Sequence, residues 1–447
     1  MKRKKEHFLS LFKYFLKITA VLLILATLEF LALTFVALIP KSSIHTNMEE
    51  SASFLCENDV FFYANHGDKS SKIDRYADSI LLNIAYYYDN TNPITSIMSS
   101  SYYYSAQSNE NINLLNAVQN NSTANLEYSR YWHGSIVFIR PLLFLFNIEQ
   151  IYTINSVILA LLLIVFLYLL TKYYGKSVST SFLIATVMVS SWYIPLSLEY
   201  TWTILIMLIT SIITIIKLNS NKFDFILMFL VVGNITAYFD FLTTETLTLL
   251  IPLSLIVTHK YINKDLNCLS TEIKSLFFQS LAWLNGYIFA WISKWSLASI
   301  ILQKNVFYDA FNQAKFRAVG QSDNLSGLEQ RFAAEARNIG NIFPFSMSDN
   351  NSFLYTSIFF IIVLCVYFII RKEKCSYSKL IILIAFLPYI RFFVLGNHSY
   401  LHHFFTFRAQ LTTFFCIGLL FVYGSDKDML SKEWRKICRK SRKKKLN

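Results

Sequence analysis

FLKITAVLLILATLEFLALTFVALI, residues 15–39, decides the fold. A membrane-crossing helix needs about 20 mostly apolar residues, and Lys17 and Glu29 are the only charges in this run. MKRKK stands at residues 1–5, the basic lead that keeps an N-terminus in the cytoplasm. The run is too long for the core of a signal peptide and lacks a clear small-residue cleavage site, so it reads as a retained anchor.

Working outward, comparable apolar runs recur at roughly 150–171, 178–196, 200–217, 223–240, 245–259, 275–300, 353–370, 380–396 and 408–424. Threaded alternately, they put Lys172/Lys176, Lys217/Lys222, His259–Lys274 and Arg371–Lys379 on the side of Met1. Lys440–Lys445 falls there too, so every connector on that side is basic. The expected fold is an all-α polytopic membrane protein of about ten transmembrane helices with both termini cytoplasmic. It forms a single integral membrane domain over 1–447, with no inverted repeat of the transporter kind. The first exofacial loop spans 41–148 and is partly helical, a second exofacial region spans 301–352, and a basic cytoplasmic tail spans 425–447.

Composition agrees. Hydrophobic residues make up 54%, aromatics 17% and charged residues 15% of the chain, whereas soluble domains carry about a quarter charged residues. Gly and Pro number 11 and 7, which favours long helices over barrel strands. The net charge of +13 sits at the chain ends and in short connectors, the pattern of a protein facing a lipid bilayer and its anionic lipids rather than nucleic acid. The six cysteines are scattered singly and only Cys56 faces outward in this topology, so neither an exofacial disulfide within the chain nor a metal-type cysteine spacing is expected.

Four groups of polar residues are candidates for chemistry. In KIDRYADSILLNIAYYYD, Asp74 and Asp78 are four apart and share one helix face, where like charges raise each other's pKa. Such a carboxylate can take a proton from a sugar hydroxyl, and a solvated acidic face is the plain alternative. NLEYSRYWHGSIVFIRPLLFLF (125–146) brings together Arg130, Tyr131, Trp132 and His133 and sets Arg140 in an apolar run, either an aromatic interface belt with snorkelling arginines or a binding shelf. Asp240, Lys294, Arg391 and Arg408 lie near the outer ends of four different spans, where ionisable residues are costly. GNHSYLHHFFTFR adds His398, His402 and His403; His398 and His402 can share a helix face at a spacing that also suits a metal, but no HExxH accompanies it and phosphate contact through His and Arg fits better, with core or interface histidines the plain alternative. There is no P-loop, no GxGxxG and no cytosolic domain able to bind a nucleotide sugar.

This pattern resembles the GT-C superfamily of polyprenyl-phosphate-dependent glycosyltransferases, including membrane proteins of Gram-positive polysaccharide loci. The resemblance covers the whole chain in topology, and at residue level rests on KIDRYADSILLNIAY, EYSRYWHG with Arg140-Pro141, YFDFLTT, SKW and NHSYLHHFFTFR. It implies inverting transfer from a polyprenyl-phosphate-linked sugar to a glycan or wall polymer on the outer face of the cytoplasmic membrane, with a polyprenyl-phosphate sugar synthase as a potential partner. It implies no cofactor and leaves a divalent metal open. The family's base, an Asp of the first outer loop, maps to Asp74 or Asp78. Both lie further from the first span than is usual in the family, so Glu57 and Asp59 stay in reserve. Arg140, Lys294, His402 and Arg408 are expected to meet around the donor phosphate, with Arg130, Tyr131, Trp132, His133, Asp240 and His398 toward the acceptor. Tyr102–Tyr104 are further candidates for stacking on sugar rings. The competing readings are a polymerase or ligase of the O-antigen type, whose large outer loop usually comes late, and a lipid-linked sugar flippase, which wants charges at the bilayer midplane.

Overall fold

The computed structural model describes residues 2–220, 222–323, 325–372 and 375–426. The basic tail beyond 426 lies outside the described residues, as do 373–374 of the connector before the ninth expected span.

The described residues are mostly helical; their one sheet is a hairpin of β1 (Phe61–Tyr63) and β2 (Lys72–Asp74). Each expected span is a helix: α1 (Lys2–Ala37), α7 (Ile148–Tyr174), α8 (Lys176–Met188, extended by the turn Ser191–Leu196), α9 (Leu198–Lys217) and α10 (Phe225–Phe239). Then come α11 (Leu247–Ile262), α12 (Leu269–Leu302), α15 (Ser352–Ile370), α16 (Ser376–Val394) and α19 (Leu411–Leu419, continued to Gly424).

Among the described residues, six stretches are long and apolar enough to cross a membrane: Phe12–Ala37, Ile148–Tyr174, Leu198–Lys217, Asp349–Ile370, Ser376–Val394 and His403–Gly424. The other four expected spans are helical but fall short of that measure. α8, α10 and α11 have 13, 15 and 16 residues, fewer than the roughly 20 a perpendicular crossing takes. α12 is 34 residues long, and Lys274, Gln279, Asn285 and Lys294 interrupt its apolar run.

Contacts fix the direction of each helix. At one end, Lys17 of α1 pairs with Asp224 before α10, the Tyr423 hydroxyl donates to the Tyr174 carbonyl, and the Lys372 amide donates to Gly424. At the other end gather α2 (Lys41–Cys56), α3 (Arg75–Tyr87), α4 (Pro93–Ser99), α5 (Glu110–Gln119) and α6 (Ile136–Leu143). α13 (Val306–Val319), α14 (Gly327–Gly340), α17 (Gly396–Leu401) and α18 (His403–Thr406) complete this cap. α9 and the last span are interior, with 67% and 78% of their apolar windows buried, against 22%, 22% and 17% for α1, α7 and α15. Those three therefore present their apolar side chains outward, where lipid is the solvent that suits them.

Short-range chemistry sets the cap helices. Asp74, Asn109 and Asn305 cap the first turns of α3, α5 and α13, and Ser326 with Glu329 forms a capping box on α14. α10 and α12 cross backbone to backbone: a Cβ on Gly233 would stand 1.9 Å from the Trp283 carbonyl oxygen, and one on Gly286 1.9 Å from that of Leu230. Small residues at such crossings let helices approach where lipid removes the hydrophobic drive between them.

Candidate functional site

Where the cap meets the bundle lies a chamber of about 270 Å³ whose polar lining comes from five places in the chain. The start of α3 supplies Asp74, the 128–133 segment Tyr128, Tyr131 and His133, and the first turn of α9 Glu199. The end of α13 supplies Arg317, and the α17–α18 corner His398 and His402.

Asp74 leaves the hairpin just before α3, and its Oδ1 accepts from the Ala77 amide at 2.9 Å. Nine-tenths and more buried, its carboxyl is raised above the ordinary carboxylate range first by burial, with the Ala77 amide opposing and the charge of Asp78 reinforcing the shift. Glu199 lies against it, and Glu199 Oε2 has no hydrogen-bond partner. Two carboxyls buried side by side oppose each other's ionisation.

The opposite wall is basic. Arg317 donates to His398 Nδ1 at 2.6 Å, and His398 Nε2 donates to the Leu242 carbonyl at 2.8 Å. A ring that accepts at Nδ1 and donates at Nε2 is the neutral tautomer, assigned here from its partners. Burial, with the charges of Arg317 and Arg391 adding to it, holds His398 well below the usual histidine range. His402 packs on His398 with ring centroids 4.7 Å apart; burial and then Arg317 push it down to about 3. His133, held at φ 54°, donates from Nε2 to the Tyr128 carbonyl at 3.1 Å and leaves Nδ1 unpartnered. Burial and Lys294 bring it to about 3. Arg317 is thus the charged donor on a wall of uncharged imidazoles.

Of the residues expected from sequence, Asp74, Tyr131, His133, His398 and His402 share this chamber, while Arg130 lies outside its lining, stacked 4.3 Å over Tyr128 and paired to Asp309. Asp78 does not join them. Its carboxylate accepts from the Tyr152 hydroxyl at 2.5 Å, the Leu198 amide at 3.0 Å and the Ser197 hydroxyl at 3.2 Å, an N-terminal anchor for α9. Its pKa, raised to about 6, is shifted by burial rather than by Asp74. Helical spacing does place the two acids near each other, but Asp74 precedes the helix as its cap and the carboxyls turn to different partners.

The expected cluster of Arg140, Lys294, His402 and Arg408 does not form; only His402 lines the chamber. Arg140 donates to the carbonyls of Ala85, Ile39 and Tyr88, Lys294 to those of Ile97 and Met98, and Arg408 to those of Phe404 and Ser70. Most of these oxygens belong to the last turns of helices, which leave carbonyls unsatisfied and carry the negative end of the dipole. A buried cation is offset by such an end as well as by a phosphate. Asp240, expected toward the acceptor, closes the turn after α10 through Thr243 instead. Trp132 is a strut, its Nε1 donating to the Ala290 carbonyl of α12 at 2.7 Å.

Glu199 and Arg317 were not among the sequence candidates. Glu199, in SLEYTW, is a lone acid between two apolar runs, and Arg317 sits in the amphipathic NVFYDAFNQAKFRAVG; only the exposed-side position of each offered a signal. Among the described residues no three metal-ligating side chains gather, so a divalent ion at Asp74 and Glu199 would draw its remaining ligands from substrate or water. No family model, no curated protein and no solved structure matches this chain.

Proposed function

We propose that this protein is a membrane glycosyltransferase that moves a sugar from a polyprenyl-phosphate donor to a hydroxyl of a cell-surface glycan or wall polymer. In this reading ten helices span the cytoplasmic membrane, both termini are cytoplasmic and the chamber faces out. The observation that carries it is the pairing of Asp74 and Glu199 opposite Arg317, His398 and His402 in one chamber. This set differs from the one the sequence suggested, with Arg317 in the place of the three cations that bind backbone.

An apolar groove of about 380 Å³ supports a lipid-borne donor. Trp283, Tyr287, Trp291 and Trp295, each four residues on along α12, line it, and it meets the chamber at Tyr131 and Arg317. An isoprenoid chain lying there sets its phosphate beside the guanidinium. The ionised member of the carboxyl pair then takes the acceptor O–H proton while that oxygen bonds to the sugar's C1. The C1–O bond to phosphate breaks through an oxocarbenium-like transition state with inversion. The departing phosphate gains charge, which the Arg317 guanidinium stabilises.

The test is transfer from a polyprenyl-phosphate sugar by the full-length protein in proteoliposomes. Asp74→Asn should lower the rate by about 10²–10⁴-fold while polyprenyl phosphate binds as before. Full transfer by the Asp74→Asn, Glu199→Gln double variant refutes the assignment.

A further inference from the structure

A second, larger cleft of about 600 Å³ opens from the same chamber, and the function proposed above does not use it. It runs between residues 126–130 and the start of α13, and it shares Tyr76, Tyr128, Arg317 and His402 with the chamber. α13 separates it from the apolar groove. Val306 and Asp309 face the cleft, Ala310, Gln313 and Ala314 face the groove, and Arg317 reaches both.

We infer that this cleft is the acceptor's site and takes a water-borne polyhydroxylated chain, a saccharide polymer rather than a second lipid-linked sugar. The inference rests on the transferase reading. Its reason is the sorting of chemistry across α13. On the cleft side stand Glu127, Ser129, Lys304, Asn305 and Asp309. A hydrocarbon chain would strip water from these groups and return no hydrogen bond, which is costly. Sugar hydroxyls satisfy them. Tyr76, Tyr102 and Tyr128 add ring faces for the C–H faces of the sugars, each with a hydroxyl at its rim.

Two ion pairs clasp the cleft across its width: Lys304–Glu127 at 2.6 Å and Arg130–Asp309 at 3.2 Å. Both tie the segment before α6 to the start of α13, and each has one member at least half exposed. Exposed pairs are held weakly, so they part readily and leave four charged groups facing an incoming chain. A hydroxyl that follows the cleft inward passes Tyr76 and Tyr128 and arrives at the wall of the chamber that holds Asp74.

The experiment is cysteine protection, which needs no turnover. In full-length protein with the six native cysteines replaced by serine, Ser129→Cys reports on the cleft and Ile292→Cys on the groove. Both are labelled in proteoliposomes with a maleimide. The probes are the soluble oligosaccharides released from the surface of the producing cell, and decaprenyl phosphate. Oligosaccharide should slow labelling at 129 about fivefold once it exceeds its dissociation constant about fourfold, and leave 292 unchanged. Decaprenyl phosphate should do the reverse, and Tyr102→Ala should abolish the protection at 129. Protection of 129 by decaprenyl phosphate, or by neither probe, overturns the inference. An inactive Asp74→Asn with 129 still protected supports both readings. A fully active carboxyl double variant with 129 still protected overturns the catalytic assignment and leaves the cleft standing.

Discussion

Arg317→Ala is the perturbation that most directly tests the site. Arg317 lies at the last turn of α13, donates to His398 Nδ1 at 2.6 Å and reaches the chamber, the cleft and the groove. If it holds the departing phosphate, its removal deletes one preorganised donor from developing charge, worth about 2.7–4 kcal/mol or 10²–10³ in kcat in comparable sites. The side chain is only half-buried, and water screens part of that charge, so the lower end of the range is expected. Its loss also releases Nδ1 of His398, which frees the imidazole to change tautomer. Arg317→Lys keeps the charge but not the planar fork, and should recover only part of the rate. The assay is single-turnover transfer in proteoliposomes, with polyprenyl phosphate binding measured alongside. Arg317→Ala within about threefold of wild type, a change too small for a lost charge-stabilising donor, refutes this placement of the phosphate.

Three further outcomes follow from the geometry. Burial raises Asp74, and a base works only when deprotonated, so the transfer rate should fall on acidification at a pH above the ordinary carboxylate value of about 4; a pH–rate profile with its acid limb at or below that value contradicts the burial of the base. Lys294→Met should leave the Ile97 and Met98 carbonyls unsatisfied and cost about 1–3 kcal/mol of stability, seen as a lower unfolding midpoint, while polyprenyl phosphate still binds; loss of donor binding at unchanged stability would return Lys294 to the site. Gly286→Val should prevent α10 and α12 from meeting and abolish detergent-stable protein, whereas Gly327→Ala, where a Cβ meets nothing within 4 Å, should be neutral; equal yields would deny the close crossing.

The ten apolar runs, the anchor at 15–39, the helix after Asp74 and the amphipathic α13 are legible in the chain because each depends on local spacing: an apolar run, a capping residue, a charged connector. His398 and His402 fall on one face for the same reason. What each polar residue does is not local. Sequence shows that Arg140, Lys294 and Arg408 are expensive where they stand, but not what offsets the cost, and the last turn of any helix offers carbonyls as readily as a ligand offers phosphate. Every residue has such a carbonyl, so no pattern of side chains announces the partner. Asp78 and Asp74 look alike at four-residue spacing until Leu198, from over a hundred positions away, presents its amide to one of them. Glu199 becomes half of an acidic pair only because α9 starts against α3, and Arg317 becomes the cation of the chamber only because α13 ends beside His398. The sequence by itself determined which segments are helical and which residues are costly to bury. Tertiary packing alone decided which of those costs are met by backbone and which are left open to a substrate.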